Sequence, residues 1–101
     1  MTSRTRGGAR IIRRLRAHLP RYAKRYRIKS MGLFGSYVRG EQRSDSDVDV
    51  LVEFNQTPSL LQFLALEHEL TDALGVRVDL VMKDALKPAI GRHILREVVP
   101  V

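Results

Sequence analysis

The chain has 101 residues, no cysteine and a formal net charge of +7. That length allows one domain with one modest core. No apolar run approaches the roughly 18 residues of a membrane span, and disulfides and thiolate zinc sites are excluded. The basic start lacks the apolar segment of a signal peptide, and a cytoplasmic location is expected.

The charge is unevenly spread. Residues 1–40 hold twelve Lys/Arg and no acid, whereas residues 41–101 hold six Lys/Arg and all eleven acids. A basic segment of this kind is either a solvated helix face or a surface for nucleic acid, polyphosphate or an acidic protein.

Residues 1–8 (MTSRTRGG) read as a disordered basic arm, and 9–101 as a single domain. From Ala9 the positions Ile11, Ile12, Leu15, Leu19, Tyr22, Ala23 and Tyr26 recur at helical spacing, with Arg and Lys on the other face. Pro20 falls inside this pattern and predicts a kink or break. Residues 28–34 (IKSMGLF) read as a strand, and Gly35 to Asp45 as a polar turn with one helical turn after Ser36. Residues 47–54 (DVDVLVEF) form a second strand. A helix is expected over about 59–74, with Leu60, Phe63, Leu64, Leu70, Ala73 and Leu74 as its buried stripe and Gly75 stopping it. Residues 76–82 are a third strand, and a last helix spans about 86–97 with Pro88 in its first turn. These alternating elements predict an α+β domain, a small mixed β-sheet packed with helices in two layers.

Strand parity organises the acids. Asp47, Asp49 and Leu51 share one face of their strand, and Val48, Val50 and Val52 share the other. In the third strand Asp79 lies opposite Val78 and Leu80. If the two strands are neighbours with aliphatic faces aligned, Asp79 lands beside Asp47 and Asp49. Aspartate is a poor strand former, so two on one face of an apolar strand need a reason. Carboxylates about 4 Å apart repel by about 4 kcal/mol at an effective dielectric near 20. A cation relieves that repulsion, and oxygen-only ligands suit Mg²⁺ or Mn²⁺. Two such ions stabilise the attacking and leaving oxygens of an in-line displacement.

Gly35 and Ser36 are the complementary half. Glycine lets backbone approach a phosphate closely, and Ser36 adds a hydroxyl at the start of a helical turn. A Gly-Ser pair alone is an ordinary turn; its value here is its spacing from Asp47. Arg39 either pairs with phosphate oxygens or bridges to Glu41 or Asp45. A calcium loop starting at Asp45 is rejected, because Val50 and Gln56 stand where Gly and Glu are required. Arg13 and His18 match a short Arg-x4–6-His RNase pattern, but six arginines between Arg10 and Tyr26 make a chance match the better reading. His68 and His93 are expected on helix surfaces.

With Gly35-Ser36, Arg39-Gly40, Ser46-Asp47-Val48-Asp49 and Asp79 in place, the chain resembles the minimal nucleotidyltransferases of the DNA polymerase beta superfamily. The likeness runs from about Ile11 to Val99; its one mild departure is Val38 where the motif usually has Ala. The resemblance implies a polymerase-beta-like fold and two Mg²⁺ ions held by Asp47, Asp49 and Asp79, with ATP as substrate. Gly35, Ser36 and Arg39 would bind the nucleotide. It further implies an antitoxin that transfers AMP from ATP to a tyrosine hydroxyl of a HEPN-type RNase toxin, the expected protein partner. Two rivals remain. One is a non-catalytic module that covers the toxin or binds nucleic acid through the basic N-terminal helix. The other is a small-molecule nucleotidyltransferase, for which no substrate domain is visible.

Overall fold

The computed structural model describes residues 6–101. Its elements in chain order are helix α1 (Arg6–Tyr26), strand β1 (Ile28–Phe34), the short helix α2 (Ser36–Arg39), strand β2 (Val48–Phe54), helix α3 (Leu60–Leu74), strand β3 (Val78–Met82), a 3-10 turn (Lys83–Ala85), helix α4 (Pro88–Glu97) and strand β4 (Val99–Pro100). The sheet order is β3-β2-β1-β4. β1 pairs antiparallel with both β2 and β4, and β2 pairs parallel with β3. A parallel pair cannot be joined by a tight turn, so α3 carries the chain across the sheet between β2 and β3. The mixed sheet and its helices are the expected α+β arrangement.

One sheet face carries the main core. Val48, Val50 and Val52 of β2 point there beside Met31 and Leu33 of β1 and Val78 and Leu80 of β3, under Ile11, Leu15 and Tyr22 of α1 and Leu66, Leu70 and Leu74 of α3. Leu15, Leu33, Leu66 and Leu70 are fully buried, and each such side chain contributes roughly 1.5–3 kcal/mol over an exposed one. The opposite face holds a smaller cluster of Phe34, Leu51 and Ile94, edged by Val81, Leu86 and Val98. Strand parity therefore divides β2 between two cores, with Asp49 on the α4 side.

Several boundaries differ from the sequence expectation. The arm falls partly outside the described residues; residues 6–8 are the first turn of α1, so this helix starts before Ala9. Pro20 does not end it. α1 runs through Pro20 to Tyr26, because Leu15 and Tyr22, on either side of the proline, are both buried in the one core. The buried stripe of α3 is Leu66, Leu70 and Leu74. Leu60 and Leu64, expected in that stripe, are 71% and 46% exposed, whereas Phe63 between them packs against the core. Ser59 caps this helix by accepting from the Gln62 amide while the Gln62 side chain accepts from the Ser59 amide, a reciprocal pair that satisfies two orphan donors.

Two connections fix the rest. Arg27 turns the chain from α1 into β1 with φ of 57°, and its carbonyl accepts from the Asn55 amide at 2.8 Å. Strand β4, which the sequence did not reveal, lies against Gly32. A Cβ there would collide with the Val98 side chain and crowd the Val99 carbonyl, so glycine lets β4 lie close against β1.

Candidate active site

The site forms where β1 ends. The chain leaves Phe34, turns at Gly35 with φ of 80° and enters α2. The Gly35 carbonyl accepts from the amides of Val38 and Arg39, closing that turn. A Cβ on Gly35 would overlap the Asp49 carboxylate. Glycine is thus required twice, by its left-handed φ and by direct contact with an acid. Ser36 follows at once, so its hydroxyl belongs to a turn packed against Asp49.

Asp49 and Asp79 come from β2 and β3, and Asp47 immediately precedes β2. Asp49 and Asp79 are register partners across the parallel pair, on strands about 4.8 Å apart. Asp47 stands two residues before Asp49, on the same face. Asp79 is exposed, while Asp47 and Asp49 are half-buried. Asp49 titrates at about 6 instead of 3.8. Burial is the main cause, followed by the charges of Asp79 and Asp47, and the Arg39 charge offsets part of it. Its environment thus disfavours the ionised form, as expected of acids crowded without a counter-charge.

The convergence is nevertheless looser than expected. Among the described residues no three His, Cys, Asp or Glu side chains are gathered as a ready metal-ligand group. Asp47 leans toward Arg77, whose Nε lies 3.8 Å from Asp47 Oδ1. Mutual repulsion favours that splayed arrangement. The donor chemistry still fits Mg²⁺: the candidate ligands are all carboxylate oxygens, and burial together with the neighbouring acid charges raises the Asp49 carboxyl, a penalty that a bound cation would relieve.

Arg39 is engaged by protein carboxylates. Its Nε donates to Glu41 Oε1 and its Nη1 to Glu97 Oε1, both at 2.8 Å. The expected bridge to Glu41 is present, and a second partner, Glu97, joins it. Glu97, at the end of α4, was not foreseen. Its other oxygen accepts from the Gly35 amide at 2.8 Å. Burial alone would raise the Glu97 carboxyl, but the hydrogen bonds from Arg39 and Gly35 outweigh it and hold the carboxyl below its ordinary value. No local pattern at Glu97 signals this, because its partners lie 58 and 62 residues away in the chain. His68 and His93 lie on helix surfaces, as expected.

The candidate site thus joins a glycine-serine turn packed against a strand acid to another acid in register on the next strand. Residues 12–100 match the nucleotidyltransferase domain family, and the chain belongs to that family. It is 54% identical over 85 residues to the protein adenylyltransferase MntA of Thermococcus cleftensis, covering 84% of this chain and 86% of that protein. A Methanocaldococcus jannaschii relative named for the same activity is 47% identical over 86 residues, covering 84% of this chain and 88% of that one. Among solved structures, a minimal nucleotidyltransferase superposes with a TM-score of 0.77 at 38% identity, covering 89% of this chain and 92% of that one. A toxin-antitoxin crystallised with AMP-PNP superposes with a TM-score of 0.67 at 27% identity, covering 91% and 69%. The chain is therefore a nucleotidyltransferase, of the minimal kind.

Proposed function

We propose that this nucleotidyltransferase is an antitoxin that transfers AMP from ATP to a tyrosine hydroxyl of a HEPN-type toxin partner and so silences it. The observation that carries the chemistry is the contact of Gly35 with Asp49, because it sets a nucleotide turn directly on the acid pair. The acceptor reading rests on the relatives: a protein adenylyltransferase at 54% identity and a toxin-antitoxin seen with an ATP analogue.

In this reading Gly35 and Ser36 hold the β- and γ-phosphates. Asp47, Asp49 and Asp79 are the ligands for Mg²⁺. The chemistry that bound Mg²⁺ supplies is neutralisation of the carboxylates and of charge developing on the phosphates. The acceptor oxygen forms its bond to the α-phosphorus as the bond to the β-phosphate oxygen breaks, and pyrophosphate leaves. Asp79, the exposed acid, accepts the acceptor's proton. Arg39 stands behind the turn and moderates the acid charge. A cytoplasmic location, where ATP is available, suits this activity.

Incubation with labelled ATP, Mg²⁺ and the protein encoded by the adjacent gene is expected to place AMP on a tyrosine of that protein. Absence of label with both proteins folded would sink the reading. The steric rival is separated by Asp47→Asn/Asp49→Asn: toxin neutralisation that survives this double change requires no catalysis.

A second reading concerns α1. Arg10, Arg13, Arg14, Arg16, Arg21 and Lys24 are all exposed on a helix without an acid, which suits the phosphates of a nucleic acid. It predicts RNA binding that weakens steeply with salt, and binding that salt does not change would rule it out.

A further inference from the structure

We infer that Glu97 is a positioning residue for the nucleotide turn, holding Gly35 and Arg39 together from behind. The inference rests on the reading above, in which ATP binds at Gly35 and Ser36.

The geometry is a two-pronged clamp. One carboxylate oxygen accepts from the Gly35 amide and the other from the Arg39 guanidinium, each at 2.8 Å. One donor immediately precedes α2 and the other is the side chain of its last residue, so one carboxylate ties together the entry and the end of the turn that carries Ser36. The clamp is well ordered by its surroundings: the Glu97 side chain is only 15% exposed. Its helix is anchored by Ile94, packed with Phe34 and Leu51 on the strands that lead into the turn and carry Asp49. Immediately after Glu97 the chain enters β4, locked to β1 at Gly32 and Leu33. The carboxylate is thereby tied to the same strand that ends at Gly35.

The opposite face of Gly35 is pressed on the Asp49 carboxylate. Gly35 is therefore held between two acids, one placed to bind it by hydrogen bond and one with no room for a side chain. Glu97 also keeps Arg39 near Asp49, where the guanidinium charge lowers the Asp49 carboxyl while the charge of Glu97 itself raises it. A charge-assisted hydrogen bond to a backbone amide is strong and directional. Without it, the turn is free to tilt away from Asp49, and small misplacements of a positioned group cost about two orders of magnitude in rate.

The test is equilibrium binding of a non-hydrolysable ATP analogue with Mg²⁺, measured alongside thermal unfolding. Glu97→Ala is expected to weaken binding about tenfold or more at temperatures where the variant is fully folded. Glu97→Gln keeps an acceptor for Gly35 and loses the charge, so it is expected to fall between the alanine variant and the wild type. Should the alanine variant fail to fold, the glutamine variant carries the test. In a double-mutant cycle, Arg39→Ala combined with Glu97→Ala is expected to bind no more weakly than Glu97→Ala alone, because both changes break one clamp. Wild-type binding with unchanged affinity in the folded Glu97 variants, or strictly additive losses, would overturn the assignment. Failure of the wild type itself to bind the analogue would instead overturn the nucleotide site on which the inference rests.

Discussion

Gly35 and Asp49 touch. The turn glycine leaves no space for even a methyl group beside that carboxylate, and its φ of 80° is one that other residues avoid. Gly35→Ala is therefore expected to cost roughly 1–3 kcal/mol in stability from backbone strain alone. It is also expected to abolish nucleotide binding, since either the turn or Asp49 must move. Thermal unfolding and analogue titration of the one variant check both effects.

Asp49 gives the domain a pH dependence of definite sign. Its carboxyl titrates near 6 in the folded chain against 3.8 ordinarily, so the folded state holds the proton more tightly than the unfolded state. The resulting contribution to stability is complete below the unfolded value and is lost as pH rises through about 6. Asp49→Asn is expected to stabilise the metal-free protein by about 1 kcal/mol near neutrality, after allowing for solvent screening at a part-exposed site. Urea unfolding across that window checks it. Added Mg²⁺ is expected to raise the Tm of the wild type and not that of the asparagine variant.

Asp79 separates binding from chemistry. It is the exposed acid of the register pair, whereas Asp49 is half-buried, and in the proposed reaction it is the one open to an acceptor. Asp79→Asn is expected to slow AMP transfer by about 100-fold or more while the ATP analogue still binds. Single-turnover transfer measured beside analogue affinity tests this; a variant that transfers at the wild-type rate would remove Asp79 from the reaction.

The two faces of α3 make a control for the core. Leu66 is fully buried and Leu61 is 80% exposed. Leu66→Ala is expected to cost about 2–5 kcal/mol by leaving a cavity, and Leu61→Ala less than about 0.5 kcal/mol. Denaturant midpoints distinguish them.

Much of this was legible in the chain. Alternation in DVDVLVEF placed Val48, Val50 and Val52 in the core and Asp49 on the opposite face, because strand parity is a local rule. The limits of β1 were readable for the same reason: an apolar run ends at a glycine. What escaped was long-range. Nothing near Glu97 reports that it meets Gly35 and Arg39, and nothing in VVPV shows a strand until Gly32 is seen to make room for it. The α3 stripe was legible at Leu70 and Leu74, but Leu60 and Leu64 prove exposed and Leu66 was missed, because several leucines fit a helical period equally well and only the sheet decides which of them it covers. Of the kink or break expected at Pro20, the break does not occur, because packing on both sides outweighs one lost hydrogen bond.

The edge strand β4 has a further consequence. Pro100 pairs opposite Gly32 in that strand, and proline has no amide proton to offer a neighbouring chain. The sheet therefore ends on that side in a residue that discourages stacking of one molecule on the next. The small domain is guarded there against fibre-like association by the same two-residue strand that completes its architecture.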